Sequence, residues 1–123
     1  MKKILIVDDH ADIRRLIHIT LEFEHYEIYE AADGQSALDA IAVLKPDVVL
    51  LDVMMPGPID GLEVCRRVRA APELRDVRVM LLSARGQSSD REAGLQAGAD
   101  SYLVKPFSPL QLIDSIAGLW IEA

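Results

Sequence analysis

Val48-Val49-Leu50-Leu51, followed at once by Asp52, is the segment on which the fold turns. Its residues are apolar on both faces of an extended chain, so they fit a central strand covered above and below. Such a strand needs helices on both sides, and the flanking sequence supplies them. Lys45-Pro46 closes a preceding helix, because proline cannot continue it. Asp60 to Ala70 makes the next helix, closed by Ala71-Pro72. Further out the alternation repeats. Ile4-Leu5-Ile6-Val7 is a strand that stops at Asp8-Asp9, and Ala11 to Glu24 carries Ile13, Leu16, Ile17 and Leu21 at helical spacing. Tyr26 to Ala32 is a more polar strand, suited to a sheet edge. Asp33, a helix cap by residue type, precedes a helix carrying Ala37, Leu38, Ile41 and Leu44. Val77 to Leu82 is a fourth strand and Ser89 to Ala97 a short polar helix ending at Gly98. Tyr102 to Val104 is a fifth strand, and Pro109 to Trp120 a last amphipathic helix with Leu112, Ile113, Ile116 and Leu119.

Five β/α pairs use residues 1–123 without a linker, repeat or low-complexity segment, so the chain reads as one domain. Strict alternation implies an α/β fold, a doubly wound five-stranded parallel sheet with helices on both faces. For five strands the expected order is 2-1-3-4-5, with a crevice at the carboxyl ends of strands 1 and 3.

Composition narrows the partners. Half of the 123 residues are apolar, enough for a core without disulfides or structural metal. Lys and Arg number 13 against 20 Asp and Glu, a formal charge of -7, which argues against direct nucleic-acid binding or an anionic membrane as partner. Cys65 is the single cysteine and reads as a small core residue in a reducing compartment. No apolar stretch approaches the roughly 18 residues that span a bilayer. Met1-Lys2-Lys3 runs into an apolar segment too short for a signal-peptide core, so a cytoplasmic location is expected.

Chemistry in such sheets sits where strands end. Strand 1 ends in Asp8-Asp9, strand 3 in Asp52, strand 4 in Ser83 and strand 5 in Lys105. In the expected order these strands are neighbours, while the outlying strand 2 ends in Ala31-Ala32 and offers nothing. Three carboxylates together repel one another and call for a cation. Mg²⁺ takes one or two carboxylates, waters and a phosphate oxygen; a lysine and a serine hydroxyl can hold further phosphate oxygens. The set describes a Mg²⁺-dependent phosphoryl site with a carboxylate as candidate nucleophile. Asp33 is the contrast, an acidic residue after a strand that is assigned to capping.

Taken together, these segments resemble the receiver domain of bacterial response regulators, the phosphoacceptor half of two-component signalling, with its flavodoxin-like, CheY-like fold. Ile4 to His10 is similar to the family's opening strand and acidic pair, and Val49 to Pro56 to its phosphorylation segment. Leu81-Leu82-Ser83-Ala84 and Tyr102-Leu103-Val104-Lys105-Pro106-Phe107 are similar to its two switch segments. The resemblance implies that Asp52 is the phosphoacceptor, supplied by a sensor histidine kinase or histidine phosphotransferase. It implies Mg²⁺ on Asp9, Asp52 and the backbone carbonyl of Met54, with Asp8 acting through water. Ser83 and Lys105 would hold phosphoryl oxygens, Ser83 and Tyr102 would act as the switch, and the bond before Pro106 would be cis. Output to a downstream protein or effector domain would run through the fourth helix, fifth strand and fifth helix. Such a domain catalyses only its own phosphorylation and dephosphorylation, with Met54 and Arg85 placed to influence the second step.

Three departures qualify that resemblance. Asp60-Gly61 stands eight and nine residues after Asp52, one residue beyond the family's usual spacing. Gly57-Pro58 favours a turn that would absorb the extra residue. Gln111 and Ser115 replace the acid and arginine that bridge a symmetric dimer in transcription-factor-type regulators, which lowers the expectation of a homodimer through that surface. Ser83 in place of the commoner threonine keeps the hydroxyl. His10, His18 and His25 share no metal spacing and read as loop or surface residues, and Arg66-Arg67-Val68-Arg69 as a solvated helix face. Two other functions compete. A small phosphohydrolase would need an acid/base carboxylate where Met54 stands, and a flavin site would need a phosphate loop where Asp8-Asp9 would repel phosphate.

Overall fold

The computed structural model describes residues 1–84 and 88–121. Its elements alternate: β1 (Lys3–Val7), α1 (Ala11–Glu22), β2 (Glu27–Ala31), α2 (Gly34–Leu44), β3 (Val48–Asp52) and α3 (Gly61–Ala70) come first. A 3₁₀ turn (Pro72–Leu74) then leads to β4 (Arg78–Ser83), α4 (Ser88–Gln96), β5 (Ser101–Val104) and α5 (Pro109–Ile121). All neighbouring strands pair in parallel, in the order β2-β1-β3-β4-β5.

Side-chain alternation along the strands builds two cores. Leu5, Val7, Val49, Leu51, Val79 and Leu81 point to one face, where Ala37 and Ile41 of α2 and Val64, Cys65 and Val68 of α3 cover them. Ile4, Ile6, Val48, Leu50, Met80 and Leu82 point to the other, under Ile17 and Leu21 of α1 and Leu112, Ile116 and Leu119 of α5. Every residue of β3 is buried, as its uninterrupted apolar run requires. Burial raises the Cys65 thiol to about 11, which keeps it an inert core group.

Local signals set the helix ends. Asp33 Oδ1 accepts from Ser36 N at 2.8 Å and Asp60 Oδ1 from Glu63 N at 2.9 Å, so both aspartates are N-caps. Lys45 closes α2 in a left-handed conformation ahead of Pro46. Ser108 and Gln111 form a reciprocal capping box on α5: Ser108 N donates to Gln111 Oε1 (2.8 Å), and Gln111 N donates to Ser108 Oγ (3.1 Å). Two sequence expectations need adjustment. The first helix stops at Glu22 rather than Glu24. Leu16 is 61 % exposed, because the inward stripe runs along Ile13, Ile17 and Leu21 and Leu16 sits one step round the helix. The Trp120 side chain lies outside the described residues.

The loop between β3 and α3 turns at Gly57, whose φ of +96° is the left-handed region glycine tolerates. The loop then returns to the sheet at Gly61, whose N donates to Val53 O at 3.1 Å. A Cβ on Gly61 would meet Asp52 O at 2.2 Å and Val53 Cα at 2.8 Å. Those are backbone atoms, so the chain itself must shift. Gly61→Ala is therefore expected to lower stability by about 1–3 kcal/mol in urea unfolding. Gly118→Ala in α5, with no atom within 4 Å of the added Cβ, should raise it by roughly 0.5–1 kcal/mol.

Candidate functional site

Parallel register brings the strand ends together. Val7 pairs with Leu51, so Asp8 leaves β1 level with Asp52 at the end of β3. Asp52 pairs with Leu82, so Ser83 stands one residue beyond, and Ser83 pairs with Val104, which sets Lys105 next in line. The loop after β5 is held to β4 by Lys105 N donating to Ser83 O at 2.7 Å, and the Lys105–Pro106 bond is cis. Asp8, Asp52 and Ser83 are buried, and they are the buried polar residues among those described.

Lys105 reaches across the sheet to the acids. Its Nζ lies 2.9 Å from Asp8 Oδ2 and 3.4 Å from Asp52 Oδ1. Asp8 Oδ1 accepts from His10 N at 2.9 Å and has His10 Nδ1 3.1 Å away. Met54 N approaches Asp52 Oδ1 at 3.4 Å, while the Met54 side chain points outward and is 57 % exposed. Asp9 Oδ1 is buried and accepts no hydrogen bond, although His10 Nδ1 stands 3.3 Å from it, at ion-pair distance. One oxygen from each of Asp8, Asp9 and Asp52, with a ring nitrogen of His10, fall within 4.8 Å of one another.

The electrostatics separate the two buried acids. Burial pushes the Asp8 carboxyl upward, but the His10 N–H and the Lys105 ammonium outweigh it and hold Asp8 below its ordinary value. Asp52 goes the other way: burial raises it, and the Asp8 charge adds to that rise against the opposing Lys105. The His10 imidazole is raised by its hydrogen bond to Asp8 and by the charge of Asp9. Three carboxylates facing one ammonium leave two formal negative charges, and one buried oxygen has no donor. Hard oxygen donors with a deficit of two positive charges fit a divalent cation such as Mg²⁺.

A family model described as response regulator receiver domain matches residues 4–117. This chain belongs to that family. The receiver domain is 44 % identical over 117 residues to the transcriptional regulatory protein ResD of Bacillus subtilis, covering 95 % of this chain and 47 % of that protein. It is 46 % identical over 117 residues to the response regulator MprA of Mycolicibacterium vanbaalenii, covering 95 % and 49 %. The chain thus spans about half the length of these relatives. Among solved structures, the Vibrio cholerae chemotaxis protein CheY4 matches with a TM-score of 0.90 at 33 % identity, covering 96 % of this chain and 98 % of that one. The signal receiver domain of a signal transduction histidine kinase from Syntrophus aciditrophicus matches with a TM-score of 0.88 at 29 % identity, covering 97 % and 89 %.

Of the residues singled out in the sequence, Asp8, Asp9, Asp52 and Lys105 meet in one cluster, with Ser83 at the adjoining strand end. Tyr102 is half-buried on β5 in this receiver domain, with the Arg91 guanidinium 5.3 Å from its ring centroid. Arg85 lies outside the described residues. Two residues at the site were not given a functional role in the sequence. His10 looked like a loop residue, and only its place directly after the acidic pair hinted otherwise. Arg14, one turn into α1, donates to the Asp8 carbonyl at 2.6 Å and to Glu30 Oε1 at 3.1 Å, tying the end of β1 to β2; no motif marks it. No helix among the described residues is long and apolar enough to cross a membrane.

The raised Asp52 carboxyl fixes the sign of a stability effect. A group that holds its proton more tightly when folded costs stability as pH rises above its unfolded value, and in full once pH exceeds its folded value. In chelator-containing buffer, Asp52→Asn should therefore be more stable than wild type at neutral pH. The gain should fade as pH drops through the carboxylate range and disappear where Asp52 is protonated in both folded and unfolded chains. Urea unfolding at several pH values reads this difference directly.

Proposed function

We propose that this receiver domain takes a phosphoryl group onto Asp52 from a phosphohistidine on a sensor histidine kinase or histidine phosphotransferase. The observation that carries the reading is Lys105 Nζ within reach of both Asp8 and Asp52, in a cluster whose third acid, Asp9, holds a buried oxygen with no hydrogen-bond donor. Asp9, Asp52 and the Met54 backbone carbonyl, with Asp8 behind them, are the groups that would hold Mg²⁺. When bound, that ion supplies positive charge to the phosphoryl oxygens.

The residues of the chain divide the remaining work. An Asp52 oxygen attacks phosphorus in line, the phosphorus–nitrogen bond of the donor breaks, and the imidazole leaves with the electron pair. Lys105 moves from the Asp8–Asp52 pair onto a phosphoryl oxygen, and Ser83 donates its hydroxyl to another. Drawing Ser83 toward Asp52 opens space for Tyr102 to turn inward, a shift in population between two conformations. The surface of α4, β5 and α5 then changes for a downstream protein or an attached effector domain. Gln111 is engaged in the α5 capping box, which disfavours a salt-bridged homodimer through that surface. This activity is confined to the domain's own phosphorylation and dephosphorylation and belongs in the cytoplasm. Met54 stands two residues after Asp52, where an ester hydrolase of this type would carry its acid/base carboxylate.

Incubated with Mg²⁺ and a small phosphodonor such as acetyl phosphate, the wild type should gain one phosphoryl group. Asp52→Asn should gain none, and Lys105→Met should react at least about tenfold more slowly. Mass spectrometry of the intact protein follows both. Equal labelling of the Asp52→Asn variant would reject the assignment.

A further inference from the structure

We infer that His10 supplies a nitrogen donor to the divalent-cation site, so that the site favours borderline first-row ions such as Ni²⁺ and Co²⁺ more strongly than its carboxylates alone would. The inference rests on the reading of Asp8, Asp9 and Asp52 as a cation site, and extends it. His10 Nδ1 lies 3.1 Å from Asp8 Oδ1 and 3.3 Å from Asp9 Oδ1. Neighbouring ligands of an octahedral ion with bonds of about 2.1 Å are separated by about 3.0 Å. The imidazole nitrogen therefore stands close to one ligand edge from Asp9 Oδ1, the nearer of the acids read as direct ligands.

Two further observations bear on it. Asp9 Oδ1 is buried and accepts no hydrogen bond, so it keeps its lone pairs free toward the imidazole side of the site. A ring nitrogen of His10 falls within 4.8 Å of oxygens from Asp8, Asp9 and Asp52, so four donors of mixed type converge. The His10 side chain is 59 % exposed, which leaves the outer side of the site open to water ligands. Oxygen-only sets suit Mg²⁺, whereas an imidazole adds preference for Ni²⁺, Co²⁺ or Zn²⁺. His18, by contrast, has its Nδ1 2.8 Å from Glu30 Oε2 and no place in the cluster.

The test is calorimetric titration of the untagged protein with Ni²⁺ and, separately, with Mg²⁺ in mildly alkaline buffer. Wild type, His10→Ala, His10→Gln and His18→Gln are compared. Both His10 variants should lose at least about tenfold in Ni²⁺ affinity while Mg²⁺ affinity changes far less, and His18→Gln should match wild type. Unchanged Ni²⁺ affinity in the His10 variants, or an equal change for both ions, would overturn the inference while leaving the phosphoacceptor reading intact. Equal change is what a bare ion-pair partner of the acids would give. Failure of the wild type to bind Mg²⁺ at all would overturn both.

Discussion

Negative charge held at the ends of adjacent parallel strands is the constraint around which this molecule is organised. Asp8 and Asp52 leave neighbouring strands at the same level, both are buried, and Asp9 stands beside them. Burial and mutual repulsion each penalise ionised carboxylates. Lys105 relieves part of that penalty and does so unequally, lying closer to Asp8 than to Asp52. The result is a pair of acids pushed apart, one lowered and one raised. Such separation is a mark of functional sites, because it leaves one group a firm anion and the other sensitive to an arriving charge.

The scaffold makes that arrangement tolerable. Each acid emerges from a strand that is buried on both faces, so the backbone under the site cannot relax toward solvent. Arg14 fastens the Asp8 carbonyl to the edge strand. Gly61 lets the first turn of α3 press against the Asp52 carbonyl, where any side chain would collide. The loop from Met55 to Asp60, one residue longer than the family pattern, turns at Gly57 and still returns α3 to this contact.

Much of this was legible in the residues. The unbroken apolar run of β3 marked the sheet centre, the polar β2 marked its edge, and the strand order followed from five alternating units. The acidic and basic strand ends announced a site because side chains at those positions share one rim of the sheet. What escaped depended on three-dimensional detail. Leu16 matched the helical period but sits one step off the buried stripe. His10 resembled an ordinary loop residue, since nothing in its spacing shows that its ring folds back over the carboxylates. Gln111 stood out as a missing dimer charge, yet its contact is a local cap on α5.

The central claim, that Asp52 is a strained anion awaiting a divalent cation, is open to direct measurement. Carboxyl-selective ¹³C NMR titration of the protein, with and without Mg²⁺, follows Asp52 once its signal is assigned by its loss in Asp52→Asn. Without the ion, Asp52 should titrate above an ordinary aspartate, and saturating Mg²⁺ should lower its titration. An ordinary titration that Mg²⁺ leaves unmoved would contradict the account.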